Sequence, residues 1–198
     1  MDPAKRATIL DGAARVFLEK GFDAAGVNDI CRAAGVSKST LYVYFDTKET
    51  LFSTLVEHER ERLFAGVEHQ LEGSEPLAER LTDFTARVAE IICSAPVIRA
   101  QRTVIGMAER MPELGAQFYE GGAKRSQGIL VRVLDQEVAA GNLVIPDTHM
   151  AAYQLLELAA AGLWRKRLFG RMTEPPDSRT IRTTAEAAVA MFLRYYEA

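Results

Sequence analysis

Apolar positions along this chain recur at spacings of three and four, and the strict alternation of a half-buried strand is nearly absent. Ile9, Ala13, Val16 and Phe17 share one face of a helix predicted over 4–20, and Gly21 supplies the left-handed residue that closes it, followed by Phe22. A short helix is predicted at Val27–Ala34 and stops at Gly35. Ser37 has the hydroxyl that caps a helix start, so the next helix covers 38–45. Thr47 is the next cap, opening a long helix to about Leu71 with Leu51, Leu55, Leu63 and Val67 as its stripe. EGSEP at 72–76 is the clearest break. Beyond it the pattern predicts helices at about 76–93, 96–110, 112–140, 147–169 and 178–197, punctuated by Pro96, Pro112, Gly141, Pro146 and Pro175-Pro176. The expected fold is all-α with about nine helices. Gly121-Gly122 inside a predicted helix costs about 1 kcal/mol per glycine relative to alanine, so a bend or a close neighbour is expected there.

Residues 27–45 read helix, tight glycine turn, helix, which is the helix-turn-helix form. At about 100° per residue, Leu41 and Phe45 share a buried face, with Val36 below them. Ser39, Thr40 and Val43 fall on the opposite side, flanked by Tyr42 and Tyr44. A face that merely meets solvent would carry Glu and Lys; this one carries small hydroxyls, a tyrosine and a single lysine. Such a face suits close approach to a groove wall, with hydrogen bonds to phosphates and base edges.

Composition narrows the remaining classes. Of 198 residues, 48% are apolar and 26% charged, which is ordinary for a soluble globular protein. The apolar run Leu155–Leu163 is interrupted by Glu157 and falls far short of the ~18 residues of a membrane span. MDPAKRATIL has no apolar segment of the secretory kind, so a cytoplasmic location without membrane association is expected. Cys31 and Cys93 stand far apart, without ligand-spaced partners. His58 and His69 are about three turns apart on a helix, and His149 lies near a helix start, so no metal site is expected. Nucleophile-elbow, zinc-protease and phosphate-loop signatures are absent, so no catalytic residues and no cofactor are expected. The net charge is −3. Residues 1–50 set Lys5, Arg6, Arg15, Lys20, Arg32, Lys38 and Lys48 against Asp2, Asp11, Glu19, Asp23, Asp29, Asp46 and Glu49, seven against seven. DNA contact from this segment is therefore local and oriented, with weak non-specific binding.

The first fifty residues resemble the DNA-binding domain of the TetR family of transcriptional repressors. The resemblance rests on "GF" at 21–22, "DICRAAGVS" at 29–37 and "TLYVYFDTKETL" at 40–51. It implies that Ser37, Lys38, Ser39 and Thr40 lie at the groove-entering end of the recognition helix. Tyr42 and Tyr44 would contact phosphate, sugar or a thymine methyl, and Lys48 would reach a phosphate with help from its helix dipole. Asn28 would contact a base or the backbone. Two positions depart from the family pattern: Gly26 replaces a threonine that would cap the second helix and touch phosphate, and Cys31 replaces a small alanine.

The resemblance divides the chain into a DNA-binding domain at 1–50 and an effector-binding and dimerisation domain at 51–198. In the latter, "AERMPELGAQFYEGG" (108–122) and the segment 139–170 resemble one large subgroup. The implied partners are palindromic double-stranded DNA, a second copy through the last two helices, and a small apolar or amphipathic effector. The last helix carries a stripe of Ala185, Ala188, Val189, Phe192 and Tyr196, and 151–163 gathers small residues, which suits close helix packing. Candidate pocket residues are Met107, Met111, Phe118, Tyr119 and Trp164. The expected function is sequence-specific transcriptional regulation by a repressor released by its effector. The alternative is a helical dimeric adaptor or ligand-binding protein without DNA-binding activity.

Overall fold

The computed structural model describes residues 1–198 and is all-helical apart from one isolated bridge, between Leu143 and Glu197. The chain divides into two compact units, Met1–Arg62 with Arg99–Phe118, and Leu63–Ile98 with Tyr119–Ala198.

The first unit contains α1 (Pro3–Ala24), α2 (Val27–Ala34), α3 (Lys38–Tyr44), most of α4 (Lys48–Phe64), and parts of α6 (Ala95–Met107) and α7 (Pro112–Tyr119). Asp2 caps α1 by accepting the Ala4 N–H at 2.9 Å, with Pro3 in the first turn where its missing donor does no harm. Gly21, at φ 76 and ψ 169, breaks the helical backbone where the sequence predicts the helix to close, but as a kink after which α1 runs on to Ala24. Ile9, Ala13, Ile30, Leu41, Phe45 and Leu51 form the centre of the core. Phe17, Phe22 and Phe52 make a ring cluster with centroids 5.1 to 5.6 Å apart.

In the second unit α5 (Leu77–Cys93) packs against α9 (Thr148–Ala159) and α11 (Ser178–Tyr196), and α8 (Arg125–Ala139) packs on α9. Leu81, Phe84, Leu130, Leu134, Leu155 and Phe192 fill its core. Two arginines tie loops to helices. Arg80 donates to the Leu71 and Glu75 carbonyls and to Glu137 at 2.9 Å; Arg167, fully enclosed, donates to the Cys93, Met172 and Thr173 carbonyls.

Three predicted helices are interrupted. The one expected to reach Leu71 ends at Phe64, because Gly66 turns left-handed (φ 71) and Val67–Leu71 continues as a 3-10 segment. The one expected over 112–140 is α7 and α8 joined by a π turn, Glu120–Lys124. The glycine pair lies in this π turn, and a side chain at Gly122 would meet nothing within 4 Å, so no close neighbour explains that glycine. The one expected over 147–169 stops at Ala159, and after Gly162 (φ 72) a short α10 (Trp164–Leu168) follows.

Candidate nucleic-acid interface

α2 and α3 are set by local chemistry. Gly35 lies in the left-handed region (φ 64, ψ 35), where a side chain would be strained, and the Val36 N–H returns to the Cys31 carbonyl at 3.0 Å. Ser37 then opens α3, its Oγ accepting the Thr40 N–H at 3.1 Å. Leu41 and Phe45 are buried as their spacing predicts, each contributing about 1.5–3 kcal/mol by leaving water. This burial fixes the outward face. Ser37, Lys38 and Ser39 are exposed there, Tyr42 is 43% exposed and Val43 68%.

The hydroxyls form a network. Ser37 Oγ lies 2.8 Å from both Ser39 Oγ and Thr40 Oγ1. Three hydroxyl protons serve two contacts, so one proton is left to donate to an acceptor outside the protein. Tyr44 is half-buried, and its hydroxyl accepts the Asp2 N–H at 3.2 Å. The phenolic proton of Tyr44 remains free for an outside acceptor.

Asn28 is exposed in the first turn of α2, two residues after Gly26. Gly26 gives α2 no side-chain cap, the consequence expected from its replacing threonine. Cys31 is a small packed side chain at the edge of the core. Lys20 donates to Asp29 at 2.8 Å, and this bond is the first reason the Asp29 carboxyl titrates below its usual range; Arg32 adds to it. Lys48 is half-buried and turned inward, donating to the Phe22 and Ala25 carbonyls at 2.9 and 3.2 Å.

The candidate effector residues fall into three groups. Met107, Met111 and Phe118 belong to the apolar cluster of the first unit. Trp164 packs in a small cluster with Ala89, Cys93, Leu163 and Ile181, where burial pushes the Cys93 thiol up to about 11. Tyr119 is exposed, its hydroxyl 2.5 Å from that of Tyr153, a bond that raises the Tyr153 pKa. Tyr153 is not among the residues the sequence pattern singles out; it lies 34 residues from Tyr119 and only the fold brings the two together. A separate open cleft of about 440 Å³ in the second unit is bordered by Glu68, Leu71, Arg80, Ile129 and Arg132, none of them foreseen. No helix is long and apolar enough to cross a membrane.

Residues 9–55 match the profile of bacterial regulatory proteins of the tetR family, and residues 79–198, more than half of the chain, match that of the AefR-like transcriptional repressor C-terminal domain. The chain belongs to the TetR family. Regulators of this family bind DNA and act as dimers. A solved flavonoid-responsive regulator, FrrA, is 30% identical, with a TM-score of 0.81 over 99% of this chain and 98% of that one. A TetR-family regulator from Mesorhizobium loti is 25% identical, with a TM-score of 0.88 over 98% of both chains. An uncharacterised HTH-type transcriptional regulator of Mycobacterium tuberculosis is 34% identical over 119 residues, 56% of this chain. The chain spans 59% of that relative's length.

Proposed function

We propose that this TetR-family regulator is a homodimeric repressor that places α3 in the major groove of each half of a palindromic operator and is released by a small apolar or amphipathic effector. One observation carries the reading: the outward face of α3 holds Lys38, Ser39, Tyr42 and Val43 in the open with Thr40 half-buried beside them, while Leu41 and Phe45 anchor the helix from behind. Ser37, Asn28 and Tyr44 extend the contact surface, and Val43 joins it as an apolar group suited to a thymine methyl. Repression is supported by the repressor domain to which residues 79–198 are similar.

Dimerisation is supported by apolar side chains left in the open on two helices that pack together. These are Met150 and Leu158 on α9, and Met191 and Tyr195 on α11, the last 79% exposed. For the effector, Met107, Met111 and Phe118 form one candidate lining and Tyr119 with Tyr153 another; Trp164 is a third, to be tested separately. FrrA is named as flavonoid-responsive, so flavonoids come first in an effector screen.

The test is selection of the purified protein against a random duplex pool at near-physiological salt. The expected result is an enriched palindrome whose half-site centres lie one helical turn or somewhat more apart, about 34–36 Å or above. Failure of a folded dimer to enrich any sequence, with and without candidate effectors, refutes the reading.

A further inference from the structure

Lys48 is the residue whose surroundings fit a phosphate contact least. An ammonium carries three N–H donors. Lys48 Nζ lies 2.9 Å from the Phe22 carbonyl oxygen, 3.2 Å from that of Ala25, and 4.4 Å from the centre of the Phe22 ring. Two donors go to carbonyls and the ring face attracts the ammonium as a whole, so while this cradle is closed the charge is engaged inward.

The cradle is built from the connector between α1 and α2, which Lys20–Asp29 spans at the surface but whose own residues make few side-chain ties. Gly21 sits at φ 76 and Gly26 offers no side chain to cap α2. Asp23 reaches only a 3.7 Å pair with Arg110, both side chains well exposed. Phe22 is held by its ring, against Phe17 and Phe52. The backbone carbonyls at 22 and 25 are held by Lys48. Lys48 is itself the first residue of α4, whose start is fixed by Thr47 Oγ1 accepting the Thr50 N–H at 3.0 Å. The same ammonium also sits at the carbonyl-rich end of α1, where positive charge is favoured.

We infer that Lys48 is a positioning residue. It ties the first turn of α4 to the α1–α2 connector and so sets the direction in which α2 and α3 leave that connector. Its two hydrogen bonds anchor the carbonyls that lead into α2, where Gly26 supplies no side-chain cap. For its binding readout the inference rests on the DNA reading of α3; its structural readout does not.

The decisive variant is Lys48→Met, which keeps the aliphatic stem and removes the donors. In DNA-free protein, amide hydrogen exchange at residues 22–30 should accelerate by about tenfold or more, with α5 and α8 unchanged. Affinity for the selected duplex should fall by about tenfold at every salt concentration, with the slope of log K against log salt unchanged. Loss of one phosphate contact from each protomer would instead make the slope shallower by about 1.8. Lys48→Arg, an even better phosphate donor but a poor fit to a compact cradle, should bind less well than wild type. Unchanged exchange in the connector, a shallower slope for Lys48→Met, or full binding by Lys48→Arg would each overturn the assignment. If the wild-type protein selects no duplex, the DNA reading fails by itself, and the exchange measurement alone decides the role of Lys48.

Discussion

A single methyl group at Gly12 tests how closely the first two helices of the DNA-reading unit are packed. Helix propensity alone favours the change: alanine in place of glycine within a helix gains about 1 kcal/mol. Steric crowding opposes it more strongly. A Cβ at Gly12 would lie 2.6 Å from Ala34 Cβ and 2.8 Å from both Ala34 Cα and Ala34 N. Ordinary carbon contacts lie near 3.5–4.0 Å, so about 1 Å must be recovered. Ala34 has no rotamer to change and two of the three atoms are backbone, so α1 and α2 must separate as bodies. Overpacking of this kind costs about 1–3 kcal/mol, and a rigid neighbour places it in the upper half. After subtracting the propensity gain, Gly12→Ala should be destabilised by about 1–2 kcal/mol.

Gly128→Ala is the matched control. It also lies inside a helix, but a Cβ there meets nothing within 4 Å, so only the propensity gain remains, about 0.5–1 kcal/mol. Urea unfolding followed by circular dichroism measures both. Because Ala34 immediately precedes the Gly35 turn, Gly12→Ala should also weaken operator binding at temperatures where it is folded. A Gly12→Ala protein at least as stable as wild type, with Gly128→Ala stabilised as expected, would refute the close α1–α2 approach.

Tyr42→Phe should weaken operator binding by a few-fold and Tyr42→Ala by about tenfold or more, with little change in melting temperature because the ring is half in solvent; equal binding by both variants in a mobility-shift titration would remove Tyr42 from the interface. Glutamate insertion at Met191 and Tyr195 together should convert the dimer to monomer in sedimentation equilibrium, since both side chains lie open on one face of α11; an unchanged dimer would place the subunit contact elsewhere. The Glu137 carboxyl is held below its ordinary value of 4.5, first by the Asn142 amide and then by Arg80. Its contribution to stability is complete above 4.5 and is lost as pH falls through the lower folded value. Thermal midpoints taken down through that window should therefore drop less steeply for Glu137→Gln than for wild type, and parallel curves would refute the linkage.

What the sequence made legible follows from how far each interaction reaches along the chain. Ser37, Gly35, Asp147 and Asp177 act within three or four residues, and each cap or turn is where its residue type puts it. The buried pair Leu41 and Phe45 follows from a spacing of four. Helix interruptions at Gly66 and Gly162 leave no clear mark because an isolated glycine inside a periodic stretch is tolerated at a cost of only about 1 kcal/mol. Partners distant in sequence left no trace: Arg80 and Glu137 are 57 positions apart, and Tyr119 and Tyr153 are 34 apart. Lys48 was the hardest to foresee. Its acceptors are backbone carbonyls, present at every residue, so nothing in the letters at 22 and 25 could announce them.

The charge balance of residues 1–50 changes meaning once partners are assigned. Lys20 and Arg32 are spent on Asp29, Arg15 on the Ala33 carbonyl, Arg6 on the Phe45 ring, and Lys48 on its cradle. Lys5 and Lys38 remain without an intramolecular partner. A regulator with two available cations per protomer engages about four phosphates as a dimer through charge, which gives a slope of log K against log salt near −3.6. Specificity would then rest on the hydroxyls, Tyr42 and Val43, whose hydrogen bonds and apolar contacts release no counterions. Affinity titrations of the selected operator from low to near-physiological salt measure this directly. A slope of about −7 or steeper would mean that cations now paired within the chain leave those partners for the DNA. In that case the free structure is not the one that binds, and the surface pairs of Arg15 and Arg32 and the inward pair of Lys48 are what the operator must displace.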